Sequence, residues 1–170
     1  AQWSEERHEL LPLIEKTLAS GQYVGGKDVE ELESEMSEYF NVKHVVGVNS
    51  GTDALILSLK ALGIQSGDEV ITPPNSFVAS TAVIESVGAK PVFVDVGQDQ
   101  NINPELIEAS ITANTKAIMP VHLTGRMCKM DRVCEIARKY NLYVIEDSAQ
   151  SVGSRYMDRY SGTWGDAGCF

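Results

Sequence analysis

The stretch Asn49-Ser50-Gly51-Thr52-Asp53-Ala54 joins a β-branched run to a helical pattern. A strand-to-helix turn of this composition suits an anion, because unpaired backbone N–H groups and the helix dipole both point toward it. Gly51 permits close backbone approach, and Ser50 and Thr52 offer hydroxyls, so a phosphate would fit. The plainer alternative is that Ser50 or Thr52 caps the helix and Asp53 is a first-turn acid. A second set of groups lies at Glu146-Asp147, directly after the apolar run 142–145. This is the carboxyl end of an expected parallel strand, the edge at which open α/β sheets bind ligands. A carboxylate there can hold a metal, act as a base, pair with a protonated ring nitrogen, or simply cap the loop 148–153. Phe77 follows Pro73-Pro74-Asn75-Ser76 at the end of another strand, placed either to stack on a planar ligand or to pack into the core.

Other arrangements carry less. Gly21-Gln22-Tyr23-Val24-Gly25-Gly26-Lys27 matches GxxxxGK, but Asp28 replaces the Ser or Thr of a nucleotide-binding loop and the segment follows a helical pattern, so a surface turn is expected. No GxGxxG follows a strand. His122 ends the run 116–121 and reads as a satisfied buried histidine; His8 and His44 carry no signal. Cys128, Cys134 and Cys169 form neither a CxxC nor an even set, which points to reduced thiols, with Cys169 a buried small residue. No Ser/His/Asp or Cys/His arrangement stands at a recognisable spacing.

The elements that must position these groups alternate. Candidate strands lie at 44–48, 69–72, 91–95, 116–121 and 142–146, and candidate helices at 4–20, from about Asp28 to Phe40, and at 52–62, 77–87, 104–110 and 130–140. Such alternation is the pattern of a mostly parallel sheet flanked by helices, an α/β fold. Residues 151–170 read as a long loop leading to a strand that has barely begun at Phe170, so the chain is expected to be part of something longer. The 170 residues hold 14 Lys+Arg against 24 Asp+Glu, a net charge of −10. Without a basic cluster a phosphate-backbone binder is disfavoured, and no nucleic-acid partner is expected. No apolar stretch approaches the roughly 20 residues of a membrane helix, and the first residues lack the pattern of a signal peptide. A membrane partner is therefore not expected and the cytoplasm is the expected location. With 43% hydrophobic residues the chain has material for a sizeable core.

A phosphate turn, an aromatic at the next strand end and a later strand-end Asp together describe a cradle for a flat, phosphorylated, nitrogen-containing ring. Pyridoxal 5′-phosphate is such a ring, and a carboxylate partner keeps its pyridine protonated as an electron sink. The stretches GQYVGGKDVEELESEMSEYF, NSGTDALILSLKALGIQSGDEVITPPNSFVAST, GAKPVFVDV, PVHLTG and VIEDSAQSVGS resemble, in this order, the DegT/DnrJ/EryC1/StrS family of sugar aminotransferases. The resemblance runs over nearly the whole chain. It implies the large domain of a fold type I transferase, truncated before the C-terminal domain, with residues 1–42 an N-terminal helical segment and 43–170 an incomplete cofactor-binding domain.

Residue by residue, the resemblance assigns Gly51, Thr52 and Asp53 to the phosphate, Phe77 to the pyridine face, Asp147 to the ring nitrogen and Gln150 to the phenolic oxygen. No metal is implied. The lysine that carries the cofactor in the family comes shortly after the motif matched by Trp164–Phe170, and neither Lys116 nor Lys129 stands at its position. The implied reaction makes an amino sugar from a nucleotide-linked keto sugar with an amino-acid donor such as glutamate, in a homodimer. A dehydratase of the same family, with histidine in place of that lysine, and a catalytically inert cofactor-binding piece are the alternatives.

Overall fold

The computed structural model describes residues 2–170. They divide into two compact units, one ending at Gly47 and the other spanning Val48–Phe170. The first carries helix α1 (Gln2–Ser20) and helix α2 (Lys27–Phe40). In α1 no residue is buried, although Leu10, Leu11, Leu13, Ile14 and Leu18 fall at helical spacing. Helix α2 buries Phe40 and stops at Asn41, whose left-handed φ of 52° lets its N–H reach the carbonyl of Glu38. The strand expected at 44–48 does not form. No ladder partner exists for it among the described residues, and Val46 and Val48 are exposed. β-branched composition supplies propensity, but a strand needs a neighbour to bond.

The second unit is the expected α/β sheet. Helix α3 (Gly51–Ala61) leads to β1 (Glu69–Thr72), then α4 (Val78–Ser86), β2 (Lys90–Phe93), the short α5 (Pro104–Ile107), β3 (Thr115–Ile118), α6 (Met130–Tyr140) and β4 (Tyr143–Asp147). The region read as a loop holds a two-residue hairpin, β5 (Arg155–Tyr156) with β6 (Arg159–Tyr160), before β7 (Ala167–Cys169). The hairpin turns at Met157 and Asp158, both at positive φ. That is the geometry of a tight two-residue turn built without the glycine that usually announces one. The helix expected over 104–110 is α for one turn and tightens to a 3₁₀ turn at Glu108–Ser110.

Five strands form one parallel sheet in the order β2-β1-β3-β4-β7. Side chains alternate across it, as the two-residue period of a strand requires. Ile71, Ile118 and Val144 face a core with Val133 and Ile136 of α6 and Ile107 of α5. Their neighbours Val70, Ala117 and Ile145 face the other core, with Leu55 and Leu59 of α3 and Val83 and Ile84 of α4. A sheet covered on both faces needs continuous apolar runs, and all four residues of β1 are indeed buried. The chain moves from β1 outward to β2 and then returns to the other side of β1 for β3. The switch point therefore lies between β1 and β3, and the carboxyl ends of the strands at such a point are where open α/β sheets bind their ligands.

Candidate active site

Asp147 is the last residue of β4 and is buried. Its backbone is fixed on both sides: its N–H donates to the carbonyl of Pro120 at 3.0 Å, and its carbonyl accepts from the N–H of His122 at 3.1 Å. The side chain is held through one oxygen. Ser80 Oγ, fully buried in the first turn of α4, donates to Asp147 Oδ2 at 2.7 Å. The other oxygen, Oδ1, receives only a long bond of 3.4 Å from the N–H of Ala149. A carboxylate accepts about four hydrogen bonds, so Asp147 keeps unused acceptor capacity at a dry strand end. Phe77 is the N-cap residue of the same helix, and its carbonyl accepts the Ser80 N–H at 3.1 Å. The residue is 70% exposed. A lone aromatic is more often core; this one is not.

Gln150 follows three residues after Asp147 and is exposed. Its Oε1 accepts the N–H of Thr124 at 2.7 Å. Thr124 sits at φ 55°, ψ 25°, in the left-handed region that a β-branched residue rarely enters. Because Oε1 is engaged there, the amide nitrogen of Gln150 is the end left to donate to another group. At the start of α3 the cap is Ser50, whose Oγ accepts the N–H of Asp53 at 3.1 Å. The N–H groups of Gly51 and Thr52 have no partner among the described residues, as expected of a first helical turn. The Asp53 amide is thus already given to Ser50. A Cβ at Gly51 would stand 3.1 Å from the carbonyl oxygen of Phe170. That separation is tight, so glycine keeps this turn close to the end of β7.

Glu146, next to Asp147, points to the opposite side of the sheet and is fully buried. Its Oε1 accepts from the N–H groups of Trp164 at 2.6 Å and Gly165 at 2.8 Å; its Oε2 accepts from Gly162 N–H and from His122 Nε2, both at 3.0 Å. His122 Nδ1 accepts the N–H of Cys128, so the single ring proton belongs on Nε2. The histidine is satisfied and structural, as the sequence suggested. Neither Ser80, Thr124 nor the role of Glu146 was legible beforehand. A polar residue within the apolar pattern VASTAVIES was the one available hint for Ser80.

The thiols are poor nucleophiles. Burial pushes Cys169 and Cys134 up to about 11, and Cys128 higher still. Cys169 Sγ lies 3.3 Å from Ser58 Oγ. Among the described residues no group of three His, Cys, Asp or Glu could hold a metal ion. No helix is long and apolar enough to cross a membrane.

Comparison with known proteins bears on this geometry. The pattern of the DegT/DnrJ/EryC1/StrS aminotransferase family matches residues 4–170. The chain belongs to this family. It is 41% identical to the dTDP-3-amino-3,4,6-trideoxy-alpha-D-glucose transaminase of Streptomyces venezuelae, over 100% of the chain and 45% of that protein. It is 44% identical to the UDP-N-acetyl-3-dehydro-alpha-D-glucosamine 3-aminotransferase of Acidithiobacillus ferrooxidans, over 100% of the chain and 46% of that protein. Among solved structures it superposes on the Bacillus subtilis protein ntda with bound cofactor PMP, at a TM-score of 0.88 and 38% identity, covering 93% of this chain and 37% of that one. The chain therefore spans less than half the length of these relatives.

Proposed function

We propose that this chain is the cofactor-binding part of a pyridoxal-phosphate-dependent aminotransferase that makes an amino sugar from a nucleotide-linked keto sugar. The observation that carries the reading is Asp147: a buried carboxylate at a parallel strand end, open at one oxygen and oriented through the other by Ser80, which lies one helical turn after exposed Phe77. The donor set fits the cofactor. A first turn with free N–H groups suits a phosphate, an exposed aromatic suits a flat face, an open carboxylate suits a protonated nitrogen, and a side-chain amide N–H suits a phenolic oxygen.

When bound, the cofactor supplies an electron sink for moving an amino group between carbon skeletons. The chain's own residues do the rest. Asp147 Oδ1 holds the proton on the ring nitrogen, and Gln150 Nε2 donates to the phenolic oxygen. Phe77 covers one ring face, while Gly51 and Thr52 offer their N–H groups, and Thr52 its hydroxyl, to the phosphate. Asp53 contributes chiefly by fixing the Ser50 cap. The group that carries the cofactor covalently belongs, by the resemblance, to sequence following Phe170. A homodimer, a cytoplasmic location and glutamate as donor complete the proposal.

The relatives named for dTDP- and UDP-linked sugars support the substrate class. The test is to incubate the complete gene product with pyridoxal 5′-phosphate, glutamate and a nucleotide-linked keto sugar, and to follow 2-oxoglutarate and the amino sugar together. Equimolar appearance is expected. Loss of water from the sugar without consumption of glutamate would replace the aminotransferase with a dehydratase, and sedimentation of the same protein tests the dimer.

A further inference from the structure

A serine in the first turn of a helix ordinarily bonds back to a carbonyl one turn earlier or caps locally. Ser80 does neither. Its hydroxyl crosses 67 residues of sequence to Asp147 Oδ2 at 2.7 Å. Both groups are buried, with Ser80 at 0% and Asp147 at 7% exposure, so water cannot readily replace either partner. A hydroxyl bonded to an ionised carboxylate at this length is of the strong, charge-assisted kind. It also selects which oxygen remains available, since Oδ2 is engaged and Oδ1 has only the 3.4 Å contact with Ala149.

We propose that Ser80 is a positioning residue for the ring-binding carboxylate. It locks Asp147 so that Oδ1 faces the ring nitrogen, and it ties the carboxylate to the helix turn that begins at Phe77. The carboxylate on β4 and the aromatic at the start of α4, the two groups that would contact the ring, are thereby tied to each other. The Ser80 N–H to Phe77 carbonyl bond of 3.1 Å completes the link. Removing the hydroxyl would leave Oδ2 buried without a donor and free the carboxylate to rotate toward it, turning Oδ1 away from the ring. This inference rests on the cofactor reading above.

The test uses the complete gene product and pyridoxamine 5′-phosphate, whose binding needs no covalent link to the chain. Equilibrium dialysis gives the affinity, and the near-ultraviolet circular dichroism of the bound ring reports its orientation. Ser80→Ala is expected to weaken binding roughly tenfold and to diminish the ring's dichroic band, whereas Ser80→Thr, which keeps the hydroxyl, retains both. Ser80→Cys preserves volume with a weak donor and should follow Ser80→Ala; it serves if the alanine variant does not fold by far-ultraviolet dichroism. In an Asp147→Ala background, Ser80→Ala should have no further effect.

A tenfold loss that persists in that background would make Ser80 merely a packing residue and overturn the proposal, as would unchanged binding in both Ser80→Ala and Ser80→Cys. Failure of the unsubstituted protein to bind pyridoxamine 5′-phosphate at all would instead sink the cofactor reading, so the two failures are distinguishable.

Discussion

Glu146 and Asp147 are neighbours on one strand, both buried, yet the two sides of the sheet treat them differently. Behind the strand end, Glu146 accepts four hydrogen bonds, three of them from backbone N–H groups of the turn at 162–165. That turn can come so close only because of its glycines. A Cβ at Gly165 would fall 2.4 Å from the carbonyl oxygen of Val144, and Gly162 holds a φ of 75°. In front of the strand end, Asp147 has one short bond and one long one. A carboxylate with every acceptor site filled has nothing left to offer a ligand, so it organises the fold. One with spare capacity in a dry place remains available for an incoming donor. Two acids of the same charge and burial thus divide into a structural and a functional one by their partners alone.

Breaking Glu146 should have the largest effect on the fold. Glu146→Ala strands three backbone N–H groups and the His122 ring N–H in a buried site, a loss of about 3–5 kcal/mol by analogy with broken buried pairs. Urea denaturation of the complete protein should show this, with most of the variant unfolding far earlier. Asp147→Ala should leave the midpoint much closer to that of the unsubstituted protein. If the two variants lose equal stability, the distinction between the two acids fails.

Turnover should invert the order for variants that remain folded. Asp147→Ala and Asp147→Asn are expected to lower kcat on the order of 10²–10³-fold, the scale on which a single electrostatic contact at a reacting centre acts. Near-normal turnover in both would remove Asp147 from the ring-nitrogen role. A smaller effect is expected at the phosphate end. Thr52→Val should weaken cofactor retention roughly tenfold, the value of one hydrogen bond to a charged group, with kcat at saturating cofactor little changed. An unchanged dissociation constant would mean that this helix terminus does no more than the Ser50 cap already explains.

The smallest expected effect lies at Cys169, on the strand that pairs with Asp147. Burial raises its thiol from 9.0 to about 11. The folded state therefore holds the proton more tightly than the unfolded chain. Its contribution to stability is full below pH 9 and is lost as the pH rises through 11. Cys169→Ala should flatten the fall in stability over this window, and the native thiol should resist alkylation at pH 8. Rapid alkylation there would show that β7 opens away from β4.

The parts of the molecule readable in advance share a local cause. Short β-branched apolar runs marked β1 and β4 nearly to the residue, and the Ser-Gly-Thr turn marked the start of α3, because those patterns act within a few residues. The hairpin at 155–160 escaped notice since its turn uses Met157 and Asp158 instead of glycine. The run 44–48 misled for the opposite reason: its residues favour a strand, but among the described residues nothing pairs with it.

What the amino-acid order determined by itself is the α/β alternation, the family, and Asp147 as a strand-end acid, all of which rest on spacing along the chain. The tertiary structure alone decided which of two adjacent acids is saturated, that Ser80 aims at Asp147, and that the Thr124 N–H engages the Gln150 side-chain oxygen. Those outcomes depend on donors 16 to 67 residues away in sequence. The free capacity of a buried oxygen is set by which partners the fold brings within 3 Å of it, and no local pattern encodes that.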